Sequence, residues 1–150
     1  MTTTVPRFEE LIAPSHWRTV DFISDLHLQA GEPATVAAFQ QYLESTTADA
    51  LFILGDLFEA WVGDDDPSET GAYVAARIRE VADAGVPVFF IRGNRDFLVG
   101  DAFARRAGMR ILPDPAVVML YGKPAILTPN LDRMAADGIA LKGLYCPAPV

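Results

Sequence analysis

The sequence contains little of what would stabilise a small secreted protein or anchor a membrane protein. Cys146 is the one cysteine among 150 residues, so no disulfide can form within the chain. The longest apolar stretches, such as residues 50–54 and 86–91, are far shorter than the roughly 20 residues that cross a bilayer. Glu9 and Glu10 precede any hydrophobic segment, and the basic start of a secretion signal is missing. We therefore expect a cytoplasmic protein without a transmembrane span.

Dense runs of positive charge are also missing. The 12 Lys and Arg residues are scattered among 20 Asp and Glu residues, which gives a formal net charge of −8. Such a charge repels nucleic-acid phosphates, so we expect no nucleic-acid partner. A bound cation neutralises the negative charge of the acidic residues around it. Some of the acidic residues of this chain could therefore belong to a metal site. The length and the hydrophobic fraction of 51% favour a single globular domain.

What is present is a regular alternation of buried strands and amphipathic helices after a leader at residues 1–18. We predict strands at 19–23, 50–54 and 86–91, helices at 32–44, 69–84 and 101–107, and a β-hairpin from 117–121 and 124–128. The first two helices are predicted to bury one face each, formed by Val36, Phe39, Gln40 and Leu43 and by Tyr73, Ala76, Ile78 and Val81. Repeated strand, turn and helix units predict an α/β fold with a mostly parallel sheet and flanking helices.

Metal-ligating side chains follow each of the three strands, at the sheet edge where ligands bind in such folds. Asp25 and His27 are two residues apart, so both side chains can point to the same side and share one metal. Asp56 and Asn94 end the next two strands. These carboxylate, imidazole and amide groups suit Mn²⁺, Fe²⁺ or Zn²⁺, and Asp56 can bridge two ions about 3.5–4 Å apart.

Each of these short motifs also has an ordinary structural interpretation. Asp-x-His occurs often by chance, and Gly55-Asp56 is typical of a turn. Gly93-Asn94 supplies common loop chemistry, because Asn tolerates left-handed backbone conformations. The three motifs together, in this order and each directly after an apolar strand, indicate a metal-dependent phosphoesterase.

The segments FISDLHL, FILGDLFEAWVGDDD and FFIRGNRDFLVG resemble those of the UDP-2,3-diacylglucosamine diphosphatase family, a branch of the calcineurin-like metallophosphoesterases. The resemblance covers residues 19–128. It implies that Asp25 and His27 bind a first Mn²⁺, that Asp56 bridges to a second Mn²⁺ bound by Asn94, and that Asn94 and Arg95 contact the substrate. The implied reaction is attack of metal-activated water on a nucleotide-linked lipid pyrophosphate, which gives 2,3-diacylglucosamine 1-phosphate and UMP for lipid A biosynthesis. The implied location is peripheral, on the cytoplasmic face of the inner membrane.

Residues next to these motifs have roles that the sequence leaves open. The planar guanidinium of Arg95 suits phosphate oxygens, and the alternative is an ion pair with Asp96 or Asp101. We expect the acidic residues Glu59, Asp64, Asp65 and Asp66 to support the structure or the ligands rather than bind a metal directly. Trp61 is expected to pack beneath the site, and His16 to lie at the surface.

The sequence departs from the family pattern after Thr128. Pro129-Asn130 stands where the family has a His-Gly-Asp segment, and the family's later Gly-His-x-His pair and helical cap have no counterpart. The chain holds only two histidines, His16 and His27. Residues 128–150 instead resemble the sulfatase segment that precedes the catalytic cysteine of that family. The alternative hypothesis is therefore a non-catalytic metal-binding fragment, or a chimera with a sulfatase-like segment.

Overall fold

Strands and helices alternate along most of the chain, as the sequence predicts. A computed structural model describes residues 9–114 and 116–119. Its elements, in chain order, are β1 (Glu9–Ile12), β2 (Val20–Ile23), α1 (Pro33–Ser45), β3 (Ala50–Leu54), α2 (Glu69–Asp83), β4 (Val88–Ile91), α3 (Asp101–Ala107), β5 (Met109–Ile111) and β6 (Ala116–Met119). The fold is therefore α/β, with a parallel sheet and flanking helices.

Four parallel strands form the central sheet in the order β2-β3-β4-β5. Val20 pairs with Ala50, Leu51 with Val88, and Val88 with Met109, so neighbouring strands run side by side from similar starting points. Consecutive strands are neighbours, so each crossover advances the sheet in one direction. The carboxyl ends of β2, β3 and β4 consequently meet at one edge.

The helices pack on one face of this sheet. Leu51 and Ile53 of β3 and Phe90 of β4 are completely buried in a core that also contains apolar residues of all three helices. Those helical residues are Phe39, Leu43, Val74, Ala75, Ile78, Val81, Phe103, Ala104 and Ala107. Because side chains alternate along a strand, the next residue in each strand faces the opposite side.

The opposite face of the sheet carries a second, aromatic core. The Phe52 ring stacks on Phe89 with centroids 4.7 Å apart, and Trp17 packs against both rings. Leu11 of β1 belongs to the same cluster, and β1 pairs in parallel with β6 in a separate two-stranded sheet. The segment expected to be a leader thus contributes a strand and a buried tryptophan.

Sequence reasoning missed β1 because four residues that begin with two glutamates carry no strand pattern of their own. Its partner is β6, almost the whole described chain away. The first arm of the predicted hairpin exists as β6, but its described partner is the parallel strand β1. The second arm, at 124–128, lies outside the described residues.

The predicted helices and strands are otherwise confirmed to within one or two residues at each end. The predicted face of α2 was partly wrong, because Tyr73 and Ala76 are exposed whereas Val74 and Ala75 are buried with Ile78 and Val81. Strand β5 was not predicted, since it is three residues long and follows α3 after a single left-handed residue, Gly108. Among the described residues, no helix combines the length and apolar character that a membrane crossing requires.

Candidate metal centre

The loops after β2 and β3 are joined backbone to backbone beyond the ends of the strands. The amides of Leu26 and His27 both donate to the Asp56 carbonyl, at 2.9 and 3.0 Å. The Leu28 amide donates to the Leu57 carbonyl at 2.9 Å, and Leu28 forms a parallel bridge with Phe58. The two loops therefore have a fixed register, which holds their polar side chains next to each other.

Asp25, His27 and Asp56 converge at this edge of the sheet. Each offers one ligand atom, and these atoms lie within 4.8 Å of one another. Asp25 is exposed, whereas His27 and Asp56 are half-buried. Two carboxylates and an imidazole are donors that divalent transition metals accept, so the chemistry and spacing of the donor set fit a metal ion open to solvent on one side.

The same three residues adopt left-handed backbone conformations. Their φ angles are 55°, 51° and 52°, and no other non-glycine residue in the described ranges has a positive φ. A side chain in this region costs about 1–3 kcal/mol, and such strain concentrates at functional sites. Here it turns the chain sharply after each strand, at the residues that carry the ligand atoms.

Gly93 allows the loop after β4 to pass against Asp56. A Cβ atom at position 93 would overlap the Asp56 carboxylate and backbone nitrogen. A Cβ atom at Gly55 would in turn lie 2.8 Å from the Gly93 Cα. The two glycines therefore permit a close approach that brings Asn94 and Arg95 next to Asp56.

Asn94 faces the Asp56 carboxylate directly. One atom of its side-chain amide lies 2.9 and 3.2 Å from the two carboxylate oxygens. If the amide nitrogen occupies that position, it donates a hydrogen bond to Asp56. The predicted convergence of Asn94 with Asp56 is observed.

Asp96 anchors these loops from below, and sequence reasoning missed that role. It is completely buried and accepts the Leu57 amide at 2.7 Å and the Gly93 amide at 2.8 Å. Burial raises the pKa of Asp96 above its ordinary value, although the hydrogen bonds from these backbone amides oppose the shift. A buried carboxylate thus fixes the loop that carries Asp56 to the loop that carries Asn94. An aspartate two residues after Gly-Asn was the only sequence signal.

Glu59 connects His27 to Arg95. One Glu59 oxygen, Oε2, lies 2.8 Å from His27 Nδ1, and the other, Oε1, accepts a hydrogen bond from the Arg95 guanidinium. The sequence-based alternative that paired Arg95 with Asp96 or Asp101 is therefore wrong. The Asp96 carboxylate accepts hydrogen bonds from backbone amides instead, and Glu59 accepts the hydrogen bond from the Arg95 guanidinium.

Asp64 and Trp61 have structural roles, as expected. Asp64 accepts the Gly100 and Phe103 amides, both at 2.9 Å, at the start of α3. Burial raises the pKa of Asp64, but the backbone hydrogen bonds outweigh it, so the pKa lies below its ordinary value. Trp61 is buried and stacks on Phe58 with centroids 4.5 Å apart.

His16 lies at the opposite edge of the sheet, where the parallel strands begin. It is exposed and lines a shallow hollow of about 470 Å³ with Asp49 and Pro87, residues that directly precede β3 and β4. Because parallel strands keep their two ends apart, His16 cannot join the candidate ligands that follow those strands. His27 is therefore the one histidine of the chain at this edge.

Residues 18–138 match the family of calcineurin-like phosphoesterases. The chain belongs to this family. Among its relatives, a UDP-2,3-diacylglucosamine hydrolase of Stenotrophomonas maltophilia (strain R551-3) is 57% identical over 123 residues, which are 81% of this chain and 49% of that protein. A UDP-2,3-diacylglucosamine hydrolase of Xanthomonas oryzae pv. oryzae (strain PXO99A) is 58% identical over 124 residues, 81% of this chain and 50% of that protein.

The chain spans about half the length of the curated relatives it matches. The family match continues to residue 138, past the point where the sulfatase resemblance begins. The tail at 129–150, including Cys146, lies outside the described residues. Its likeness to a sulfatase segment stays a prediction.

Proposed function

We propose that this chain carries the first half of a metal-dependent phosphoesterase site for the pyrophosphate bond of UDP-2,3-diacylglucosamine. The proposed products are 2,3-diacylglucosamine 1-phosphate and UMP. The main support is the convergence of Asp25, His27 and Asp56 within 4.8 Å, combined with relatives that are named for this substrate. The proposed setting is cytoplasmic, as a peripheral protein on the inner face of the inner membrane.

In this proposal Asp25, His27 and Asp56 would hold a first divalent ion. Asp56 and Asn94 would hold a second. When bound, such ions lower the pKa of water and neutralise phosphate oxygens, and Mn²⁺ is the proposed metal. Among the residues that the structure describes, the proposed ligands of the second ion are one carboxylate and one amide, so that ion should bind more weakly.

Arg95 and Asn94 are the proposed substrate contacts. Arg95 directly follows Asn94 in the sequence, and its side chain is half-exposed. The planar guanidinium can therefore donate hydrogen bonds to phosphate oxygens at the same edge of the sheet. The Arg95 amide donates to Asp56 Oδ1 at 3.1 Å, which fixes the start of this side chain relative to the metal-ligating carboxylate. Arg95 would thereby orient the pyrophosphate and balance negative charge on the departing group.

A second candidate function is metal binding without turnover. It is favoured by the histidine count, because the chain has two histidines and His16 lies at the opposite edge of the sheet. On this hypothesis the first ion binds and the second site stays too weak to activate water. The sulfatase-like segment at 129–150 would then be a separate addition, as in a chimera.

Calorimetric titration with Mn²⁺, together with hydrolysis of a chromogenic phosphodiester, tests both candidates. We expect the wild-type chain to bind Mn²⁺ and Asp56→Asn to lose binding, because an amide replaces the carboxylate shared by both ions. The matched control is Asp65→Asn, which removes the same charge at an exposed position in the nearby acidic loop.

Turnover that disappears in Asp56→Asn and persists in Asp65→Asn would support the enzyme. Binding without turnover would support the second candidate. Absence of binding in the wild-type chain would contradict both.

A further inference from the structure

Glu59 uses its two carboxylate oxygens for two different partners. Oε2 lies 2.8 Å from His27 Nδ1, and Oε1 accepts from Arg95. The side chains of Glu59 and His27 are each 35% exposed, so the contact is partly shielded from water. An ordinary surface ion pair is worth little to stability, so a role for this arrangement is better sought in what it orients.

The contact with Glu59 determines which nitrogen of His27 remains free. An ionised carboxylate only accepts hydrogen bonds, so the ring nitrogen that faces it carries the proton. With Nδ1 as the donor, the lone pair of the neutral ring resides on Nε2. Nε2 is then the atom that can bind a metal beside Asp25 and Asp56.

Arg95 restrains the carboxylate that performs this task. Its guanidinium holds the oxygen that His27 does not use, so the Glu59 carboxylate is fixed from both sides. The Trp61 amide also donates to the Arg95 carbonyl at 3.2 Å, which ties the backbone of the two loops together. The metal-ligating histidine and the proposed phosphate-binding arginine therefore share one acidic side chain.

We propose that Glu59 is a positioning residue that holds His27 as its Nδ1–H tautomer, with Nε2 directed to the metal site, and that Arg95 clamps Glu59 in place. This inference rests on the proposed function, because Nε2 is to be kept free for the proposed metal ion. The tautomer itself is a property of the metal-free chain. The inference can therefore be tested separately from the proposed function.

The first test is the tautomer of His27, read from ring nitrogen chemical shifts in the metal-free chain at about pH 8, where an ordinary histidine is neutral. The chain contains two histidines, so the exposed His16 serves as an internal reference. We expect the Nδ1–H form for His27 in the wild-type chain and in Glu59→Gln, whose side-chain oxygen still accepts. We expect Glu59→Ala to shift His27 toward the Nε2–H form of a free imidazole.

The second test is Mn²⁺ affinity by calorimetry. Loss of a partner that orients a metal ligand typically weakens binding about 10- to 100-fold, and we expect Glu59→Ala to fall in that range. Glu59→Gln should recover much of the loss, because it keeps the hydrogen bond but not the charge. Asp65→Asn removes the same charge from a side chain that makes no hydrogen bond or ion pair with any described residue. Its Mn²⁺ affinity should therefore match that of the wild type. Thermal unfolding of the metal-free variants should change little, because Glu59 is partly exposed.

An Nε2–H tautomer in the wild-type chain would overturn the inference, whatever the metal affinity. So would an Nδ1–H form that persists in Glu59→Ala. Equal Mn²⁺ affinities for Glu59→Ala and Asp65→Asn would show that Glu59 contributes no more than its charge, and would also overturn it. If the tautomers follow the expected pattern but no variant binds Mn²⁺, the positioning role of Glu59 stands and the proposed metal function fails.

Discussion

Gly93 lies so close to Asp56 that the space for a Cβ atom is already filled by the Asp56 carboxylate and backbone nitrogen. The residue with the smallest side chain thus sets the position of the residue proposed to bridge two ions. This contact joins the ends of β3 and β4, where the proposed metal and phosphate contacts meet.

Gly93→Ala should weaken Mn²⁺ binding and destabilise the fold, because the methyl group overlaps backbone as well as side-chain atoms. The matched control is Gly31→Ala, since the nearest atom to a Cβ there is Gln29 Oε1 at 3.9 Å. Calorimetry and urea unfolding of both variants would measure the effects. Unchanged affinity in Gly93→Ala would contradict the close packing of these two loops.

Asp96→Asn should lower the free energy of unfolding by about 1–3 kcal/mol, the usual cost of leaving a buried hydrogen-bonding group unpaired. The two carboxylate oxygens accept different amides, from Gly93 and Leu57, and an asparagine offers only one accepting oxygen. Urea unfolding beside Asp65→Asn would measure the difference. An Asp96→Asn variant as stable as that control would show that the two backbone amides do not need the carboxylate.

The contribution of Asp64 to stability should depend on pH. Its folded pKa is lowered, so its stabilisation is complete above the unfolded value of about 3.9 and is lost as the pH falls through the lower folded pKa. Asp64→Asn should therefore be less stable than the wild type at neutral pH, and the gap should shrink below about pH 3.9. Unfolding curves from neutral to acid pH would show this, with Asp65→Asn as the control for charge. A difference in stability between the wild type and Asp64→Asn that increased in acid would contradict the lowered pKa of Asp64.

Gly71→Ala should destabilise the chain, although alanine is favoured over glycine within a helix by about 1 kcal/mol. Position 71 lies in the first turn of α2, and a Cβ atom there would lie 2.8 Å from Trp61 Cζ3 and 2.9 Å from Ser68 Oγ. Displacement of the buried Trp61 ring should outweigh the gain in helix propensity. Trp61 fluorescence and thermal unfolding would report the change, and increased stability would show that the ring has room to move.

The first three strands of the central sheet and the convergence of the polar residues that follow them, Asp25, His27, Asp56 and Asn94, could be predicted because they follow from local patterns. Each apolar strand ends at a polar motif, and parallel topology brings those ends together. The pairing of Glu59 with His27 and Arg95 could not be predicted in the same way. It depends on how two loops turn beyond their strands, and several acidic residues nearby offered the same chemistry.

The burial of Asp96 could not be predicted from the sequence either, since a charged residue in a loop is exposed in most proteins. Its place in the interior depends on the backbone amides that it accepts, which are visible only once both loops are folded. Strand β1 escaped prediction for a related reason. Its stabilising partner β6 lies at the far end of the described chain, and nothing in its four residues indicates that partner.

The pairing of β1 with β6 also has a kinetic consequence. Each of the other parallel pairs joins consecutive strands across one crossover, whereas β1 and β6 enclose almost the entire described chain between them. Closing a longer loop costs more chain entropy, and contacts between distant residues slow folding. The four-stranded sheet and its helices should therefore assemble first. The β1–β6 layer should close last, over the aromatic face formed by Phe52 and Phe89.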